Sequence, residues 1–175
     1  MFYFTFVYVD DFLVQTKGID QSLVLTLNTA GLALSTALIP LFGWLSDRVG
    51  RRPILLLGSI SILLTTGPIF YAFEHASMTS IIIAQIVSGI TVAMMFGVNP
   101  SAQSELLPEK VRLTAFSVAY GVVLAVFGGT TPAVVESLVA ETHWAYSPLP
   151  YLLLLCLVSV FTVLTVKESR PQATP

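Results

Sequence analysis

Charged side chains are scarce in this sequence. Lysine, arginine, aspartate and glutamate together make up 10% of the 175 residues, whereas hydrophobic residues make up 55%. A soluble domain usually carries about 25% charged residues. Because the apolar surface exceeds what a soluble globule of this size buries, the composition predicts an integral membrane protein that has the lipid bilayer as a partner. No basic run suits a phosphate backbone, so nucleic acid is not expected as a partner.

Cysteine and histidine are equally sparse. With one cysteine, Cys156, the chain has no internal disulfide framework, and this residue lies in an apolar run that favours a small hydrophobic role. The two histidines, His75 and His143, show no metal-ligand spacing and are interpreted as surface residues. Neither a nucleophile–base set nor a phosphate-binding loop is present. We therefore expect no catalytic residue, no metal and no cofactor, and a membrane enzyme is disfavoured.

The apolar residues form long runs. A spanning helix needs roughly 20 mostly apolar residues. Five runs qualify, and they are Gln21–Ser46, Pro53–Phe73, Ala76–Ser104, Leu113–Val135 and Trp144–Val166. The opening run, Met1–Val9, is too short to cross a bilayer, and we interpret it as part of a sixth helix truncated at its N-terminus. The predicted fold is therefore all-α, with six transmembrane helices in residues 1–167 and a tail at 168–175.

Basic residues predict the orientation of these helices. Seven of the eight lysines and arginines fall in alternate connections, at Arg48, Arg51, Arg52, Lys110, Arg112, Lys167 and Arg170. The remaining one, Lys17, lies in the other set of connections. Because cationic connections stay in the cytoplasm, we expect Asp47–Arg52, Glu105–Arg112 and the C-terminal tail on that side. The connections around Thr16–Asp20, Glu74–Ser77 and Ala140–Tyr146 then face outward.

The first cytoplasmic connection concentrates charge in a short hairpin loop. It reads Gly43-Trp44-Leu45-Ser46-Asp47-Arg48-Val49-Gly50-Arg51-Arg52-Pro53. Gly50 allows a tight turn, and Pro53 suits the first turn of the next helix. Asp47 can bind the N-terminus of a neighbouring helix, and Arg51 and Arg52 can bridge to carboxylates on adjacent connections. The alternative is a solvated turn whose basic residues only fix the topology.

The pattern G-x-x-x-D-R-x-G-R-R resembles the signature loop of the major facilitator superfamily of transporters. A second stretch resembles the metabolite:H⁺ symporter branch, which includes carriers of proline/betaine, citrate, 2-oxoglutarate and shikimate. It comprises Gly97-Val98-Asn99-Pro100, Glu105–Arg112, Tyr120-Gly121 and Phe127–Pro132. The sequence departs from that branch at Leu107, Glu109, Lys110 and Gly121, where the branch has Phe, Thr, Arg and Asn.

This resemblance implies a function as well as a fold. It places the chain as the C-terminal six-helix half of a twelve-helix carrier in a bacterial inner membrane, with an N-terminal half or a second copy as partner. It implies proton-coupled symport of a small polar or anionic metabolite or osmolyte by alternating access. It assigns a gating role to Gly43, Asp47, Arg48, Gly50, Arg51 and Arg52. The alternative is a truncated, non-transporting fragment, or a half-carrier that acts as a membrane partner of a full-length protein.

Three further groups of residues are candidates for function. Polar residues at membrane depth can line a substrate cavity or join helices, and they are Tyr8, Asn28, Gln85, Asn99 and Tyr120. Acids near the outer surface can couple protons or simply reach water, and they are Asp10, Asp11 and Glu136. Glu105, Lys110 and Arg112 can pair with one another at the cytoplasmic surface or remain simple interfacial charges.

Overall fold

The computed structural model describes residues 2–75, 77–142 and 147–165, without the side chains of Glu74 and Pro132. Helix α1 consists of a π-helical segment, Phe4–Tyr8, followed by an α-helix, Val9–Gln15. The next helices are α2, Gln21–Val49, α3, Arg51–His75, and α4, Met78–Glu105. Helix α5 covers Arg112–Thr142 and contains a second π-helical segment, Leu124–Gly128, and α6 covers Leu149–Thr165. Within the described ranges the chain is all-α, as predicted.

Four helices, α2 to α5, are long and apolar enough to cross a membrane. Helix α6 is apolar but shorter, and α1 is shorter still. Large apolar side chains point away from the protein, with Leu113 81%, Leu64 70% and Phe161 68% exposed. A surface of this kind suits hydrocarbon rather than water. The number of crossings, six, stays a prediction, and His143, Lys167, Arg170 and the tail lie outside the described residues.

The helix ends differ from the ends of the apolar runs. Helix α2 continues through Asp47 and Arg48 to Val49, and α3 begins at Arg51, so Gly50 is the whole connection between them. At the other end of α2, Asp20 caps the helix because its carboxylate accepts hydrogen bonds from the Ser22 hydroxyl and the Leu23 amide. These two bonds hold the pKa of Asp20 below its usual value. Caps and turn geometry, rather than the first charge, therefore set the helix ends.

Helices α2 and α4 pack through small residues. A Cβ added to Gly97 would lie 2.7 Å from the carbonyl oxygen of Ile39, and one added to Gly89 would lie 3.1 Å from that of Gly31. The buried Ser35 hydroxyl donates a 3.0 Å hydrogen bond to the Gly89 carbonyl oxygen across the same contact. Small residues let membrane helices approach closely, so backbone-to-backbone contact joins this pair.

Aromatic residues of α1 connect it to α3 and α5. The rings of Phe4 and Phe70 stack with their centroids 4.6 Å apart inside a buried apolar cluster. The residue before α1, Tyr3, lies against the second π-helical segment, because its ring is 2.5 Å from the position that a Cβ on Gly128 would take. Helix α6 packs on α3, where the Ser59 and Ser159 hydroxyls are 3.2 Å apart. The fold thus places α1, α2, α4 and α5 around the residues considered next.

Candidate functional site

A charge cluster, defined here as Asp47, Arg51 and Glu105, ties together the ends of α2, α3 and α4. The guanidinium of Arg51 contacts both oxygens of the Glu105 carboxylate, with Nη2 2.6 Å from Oε1 and Nε 2.8 Å from Oε2. The same Nη2 lies 3.3 Å from Oδ1 of Asp47, which is four residues earlier in the chain, on α2. Only 11% of the Arg51 side chain is exposed. A two-point arginine–carboxylate contact is among the stronger polar interactions in proteins, so this cluster fixes three helix ends relative to one another.

Two glycines of the signature pattern make this geometry possible. Gly50 has φ +111° and ψ 153°, a conformation that side chains with a Cβ rarely adopt, and its amide closes α2 with a 2.9 Å bond to the Ser46 carbonyl. Gly43 lies against α4, where an added Cβ would be 3.4 Å from the carbonyl oxygen of Gly97. Gly50 therefore reverses the chain within one residue, and Gly43 keeps α2 close enough for Arg51 to reach Glu105.

The other two arginines of the pattern have different contacts. The Arg48 guanidinium lies 4.1 Å from the centroid of the Trp44 ring, in an exposed cation–π contact. Arg52 donates a 2.7 Å hydrogen bond through Nη2 to the carbonyl oxygen of Leu164, near the end of α6. A cation at this position interacts favourably with the helix C-terminus. Arg52 therefore connects α3 to α6 through a backbone carbonyl.

Glu105 pairs with a different residue from those suggested by proximity in sequence. The prediction placed it with Lys110 and Arg112, but the structure pairs it with Arg51 of α3. Arg112 donates a 3.4 Å hydrogen bond to the Leu107 carbonyl in the turn between α4 and α5, and Lys110 is exposed. Asp47 also pairs with Arg51, across the reversal of the chain at Gly50. The sequence predicts that Arg51 can bridge to a carboxylate on an adjacent connection, and Glu105 is such a carboxylate.

A cavity of about 440 Å³ opens between α4 and α5. Its polar lining residues are Tyr3, Asn99, Gln103, Tyr120 and Thr131, and its aromatic ones include Phe2, Phe96 and Phe127. The Gln103 amide donates a 2.9 Å hydrogen bond to the Asn99 side-chain oxygen, one turn away on α4. Asn99 and Tyr120, two of the candidate cavity residues, both line this space, and their role in binding a substrate stays a prediction. Gln103 and Thr131 were missed, although the spacing of Asn99 and Gln103 along a helix places them on one face.

The other predicted cavity residues lie at a separate place, the junction of α1, α2 and α4. The Asn28 amide donates to the Phe6 carbonyl at 3.0 Å and to the carboxylate of Asp10. Gln85, 3% exposed, lies close by, with its side-chain oxygen 3.8 Å from where a Cβ on Gly31 would be. Tyr8 stacks between Phe4 and Phe12. Asn28, Gln85 and Tyr8 are thus not among the residues that line the cavity between α4 and α5.

The three acids proposed for coupling differ in their surroundings. Asp10 is half-buried and bonded to Asn28, whereas Asp11 and Glu136 are exposed. Glu136 also lies further from the helix end than expected, because α5 continues to Thr142. Among the described acids of this group, Asp10 is therefore the one held between helices.

Together, long apolar helices, a charge cluster at one end and a solute-sized cavity with a few polar groups define a helical membrane protein of the kind that includes secondary transporters. The chain belongs to the Major Facilitator Superfamily, whose family model matches residues 1–175. The superfamily recognised from the signature loop is thereby confirmed. Members of this superfamily are transporters rather than enzymes, and this membership together with the apolar helices makes the chain a membrane protein.

Curated relatives carry the names of transporters. The chain is 31% identical to the shikimate transporter of Escherichia coli over 163 residues, which are 91% of this chain and 37% of that protein. It is 33% identical to the citrate-proton symporter of Salmonella typhi over 135 residues, 75% of this chain and 31% of that protein. An ectoine/proline transporter of Corynebacterium glutamicum is 24% identical, with 93% of this chain and 32% of that protein covered. The chain thus spans about a third of the length of these relatives, and no solved structure matches it significantly.

Proposed function

We propose that this chain forms one side of the transport path of a secondary active transporter that works by alternating access. The observation that carries the proposal is the cavity between α4 and α5, which is mostly apolar and holds a few polar side chains, in a chain that belongs to a transporter superfamily. In this proposal the chain crosses the membrane six times, with its C-terminus in the cytoplasm. An N-terminal six-helix half, or a second copy, supplies the opposite wall of the path.

The lining of the cavity favours a small polar solute. Its polar groups are neutral amides and hydroxyls, and neither lysine nor arginine is among the described lining residues. Aromatic rings beside such groups suit a solute with both apolar and polar faces. We therefore propose a small polar metabolite or osmolyte, as in the relatives named for proline, ectoine or betaine. An anionic solute, as in those named for citrate or shikimate, would need a cationic partner from the opposite wall.

The charge cluster suits the gate of such a path. Arg51 connects the ends of α2, α3 and α4, so these ends move together when the carrier changes state. A single exposed ion pair contributes about 0–1 kcal/mol, but a shielded two-point contact contributes more and can bias one state over another. We propose that this cluster is intact when the cytoplasmic side is closed.

The proton is the proposed coupling ion, and Asp10, Asp11 and Glu136 are the proposed carriers. Asp10 is the strongest of the three, because an acid between helices changes its surroundings most when the helices move. Citrate-proton symport in a relative supports this choice of ion.

Uptake by a fusion protein tests the proposal. The part of the shikimate transporter that lies outside the matched region is joined to this chain, and labelled shikimate, betaine, proline and citrate are offered to proteoliposomes. We expect saturable uptake of at least one solute, driven by a proton gradient and reduced more than tenfold by Asn99→Ala or Tyr120→Ala. The chain alone should give no saturable uptake, because it lines one side of the path. A stable, inserted fusion without uptake would contradict the proposal.

The second candidate function is a half-carrier that serves as a membrane partner of a full-length transporter, or a fragment without transport. The observation in its favour is that the chain matches about a third of each relative. Two measurements distinguish these proposals. A partner protein would alter uptake by a co-expressed full-length carrier, whereas its fusion to the unmatched part of the shikimate transporter would not give transport.

A further inference from the structure

We propose that the junction of α1, α2 and α4 is a binding site for one sodium ion. Three oxygen atoms there are buried and accept no hydrogen bond, namely Asp10 Oδ1, Asn28 Oδ1 and Gln85 Oε1. The hydroxyl oxygens of Thr5 and Ser88, on the same helices, are also buried without a partner. Buried polar atoms are nearly always paired, so the unpaired oxygens of Asp10, Asn28 and Gln85 on three adjoining helices point to a shared ligand.

Contacts of these and neighbouring residues bring the three helices together at this junction. Asn28 bonds to both Asp10 and the Phe6 carbonyl, which places α2 directly on α1. The ring of Phe6 and the Gln85 oxygen both approach Gly31, at 3.1 and 3.8 Å from an added Cβ, so Gln85 reaches the same place from α4. Gln85 and Asn28 are both more than nine-tenths buried, at 3% and 8% exposure.

Asp10, Asn28 and Gln85 also lie at a similar distance from the ends of their helices. Asn28 lies seven residues after Gln21, the first of α2, and Gln85 lies seven residues after Met78, the first of α4. That distance is about 10 Å along a helix. Asp10 lies five residues before Gln15, the last of α1. The site is therefore near the outer ends of the helices in the predicted topology, and the neighbouring Asp11 is exposed.

The charge at the junction calls for a cation. Asp10 contributes one negative charge, and among the described residues of α1, α2 and α4 the one basic residue is Arg48. Arg48 is 20 residues from Asn28 on the same helix, which is about 30 Å. Lys17, just beyond α1, holds its ammonium over the Phe12 ring at 5.5 Å. No described side chain of these helices therefore supplies the positive partner that a buried carboxylate requires.

The number and type of oxygens favour sodium over a proton, a water molecule or a divalent ion. A proton on Asp10 provides one donor, which can pair with one amide oxygen and leaves the other unpaired. A water molecule provides two donors but no charge. Divalent ions prefer several carboxylates, and a single carboxylate would leave a net positive charge inside the membrane. A hard monovalent cation is coordinated by carboxylate, amide and hydroxyl oxygens together. Sodium would compete with the coupling proton proposed above, because both would bind Asp10.

Thermal unfolding of the purified chain in detergent tests this inference without requiring transport. Stability is compared at equal concentrations of NaCl, KCl and N-methylglucamine chloride. We expect sodium alone to raise the melting temperature, by about 4 °C at a concentration tenfold above Kd. Asp10→Asn should abolish the shift, and Gln85→Met should raise the concentration needed more than tenfold. Asp11→Asn, an exposed neighbour of the same chemistry, should retain it.

Binding of radioactive sodium to the unmodified chain provides a second measurement, which does not depend on the folding of any variant. Saturable binding that potassium displaces weakly would support the site. Equal melting temperatures in the three salts, together with no saturable sodium binding, would overturn it. A sodium shift that survives Asp10→Asn would also overturn the assignment, because the ion would then lie elsewhere. Failure of the uptake experiment leaves these readouts unchanged, so the two proposals are tested separately.

Discussion

Replacement of Gly97 by alanine is expected to destabilise the protein by about 1–3 kcal/mol, and replacement by leucine by more. The reason is that the new Cβ would lie 2.7 Å from the Ile39 carbonyl oxygen and 3.2 Å from the Gly43 nitrogen. Both are backbone atoms of α2, which cannot turn aside as a side chain can, so α2 and α4 must separate. Thermal unfolding in detergent measures the effect.

Gly121→Ala is the matched control for this substitution. Gly121 lies inside α5, and nothing is within 4 Å of an added Cβ. Alanine is also a better helix former than glycine by about 0.5–1 kcal/mol, so this variant should be as stable as the original or slightly more so. Equal melting temperatures for Gly97→Ala and Gly121→Ala would contradict the described contact between α2 and α4.

Replacement of Arg51 by alanine is expected to cost about 1.5–3 kcal/mol, because it removes the charged hydrogen bonds to Glu105. The same change leaves that carboxylate, whose side chain is 28% exposed, partly shielded from water beside α3. The double variant Arg51→Ala with Glu105→Ala should cost less than the sum of the two single replacements, since each single change already removes the pair. Unfolding of the two single variants and the double variant gives the coupling energy, which we expect to be about 1–3 kcal/mol.

Arg48→Ala serves as the control for the loss of one positive charge. Arg48 belongs to the same signature pattern but contacts the exposed ring of Trp44, so its removal should cost no more than about 1 kcal/mol. If Arg48→Ala and Arg51→Ala were equally destabilising, net charge would explain both effects, and the specific pairing of Arg51 with Glu105 would lose its support.

The fold class and most helices could be predicted from the sequence because membrane spans are a local property. A run of apolar residues must cross hydrocarbon as a helix to satisfy its backbone, whatever lies beside it. The helix ends were harder, since α2 keeps its helical hydrogen bonds through Asp47 and Arg48 once it reaches the polar surface. Helix α2 ends at Gly50, where the positive φ reverses the chain into α3.

The partners of individual side chains could not be predicted in the same way. Arg51 and Glu105 are 54 residues apart, and their contact depends on how closely α2 and α4 approach at Gly43 and Gly97. Polarity at membrane depth singles out Asn28, Gln85, Asn99 and Tyr120 as candidates for function. It does not show that Asn99 and Tyr120 line the cavity while Asn28 and Gln85 lie at the junction of α1, α2 and α4. The two locations depend on how each helix is rotated and packed, which cannot be predicted from one sequence.

Side-specific labelling tests the central claim, that alternate cationic connections lie on the cytoplasmic side of the membrane. In a Cys156→Ser background, which removes the one native cysteine, a cysteine is introduced separately at Lys17, Val49 and Lys110, all of which are exposed. A membrane-impermeant maleimide is then applied to right-side-out and inside-out vesicles. We expect positions 49 and 110 to react only in inside-out vesicles and position 17 only in right-side-out vesicles. Reaction of positions 49 and 110 from opposite sides would contradict the topology and, with it, the proposed carrier.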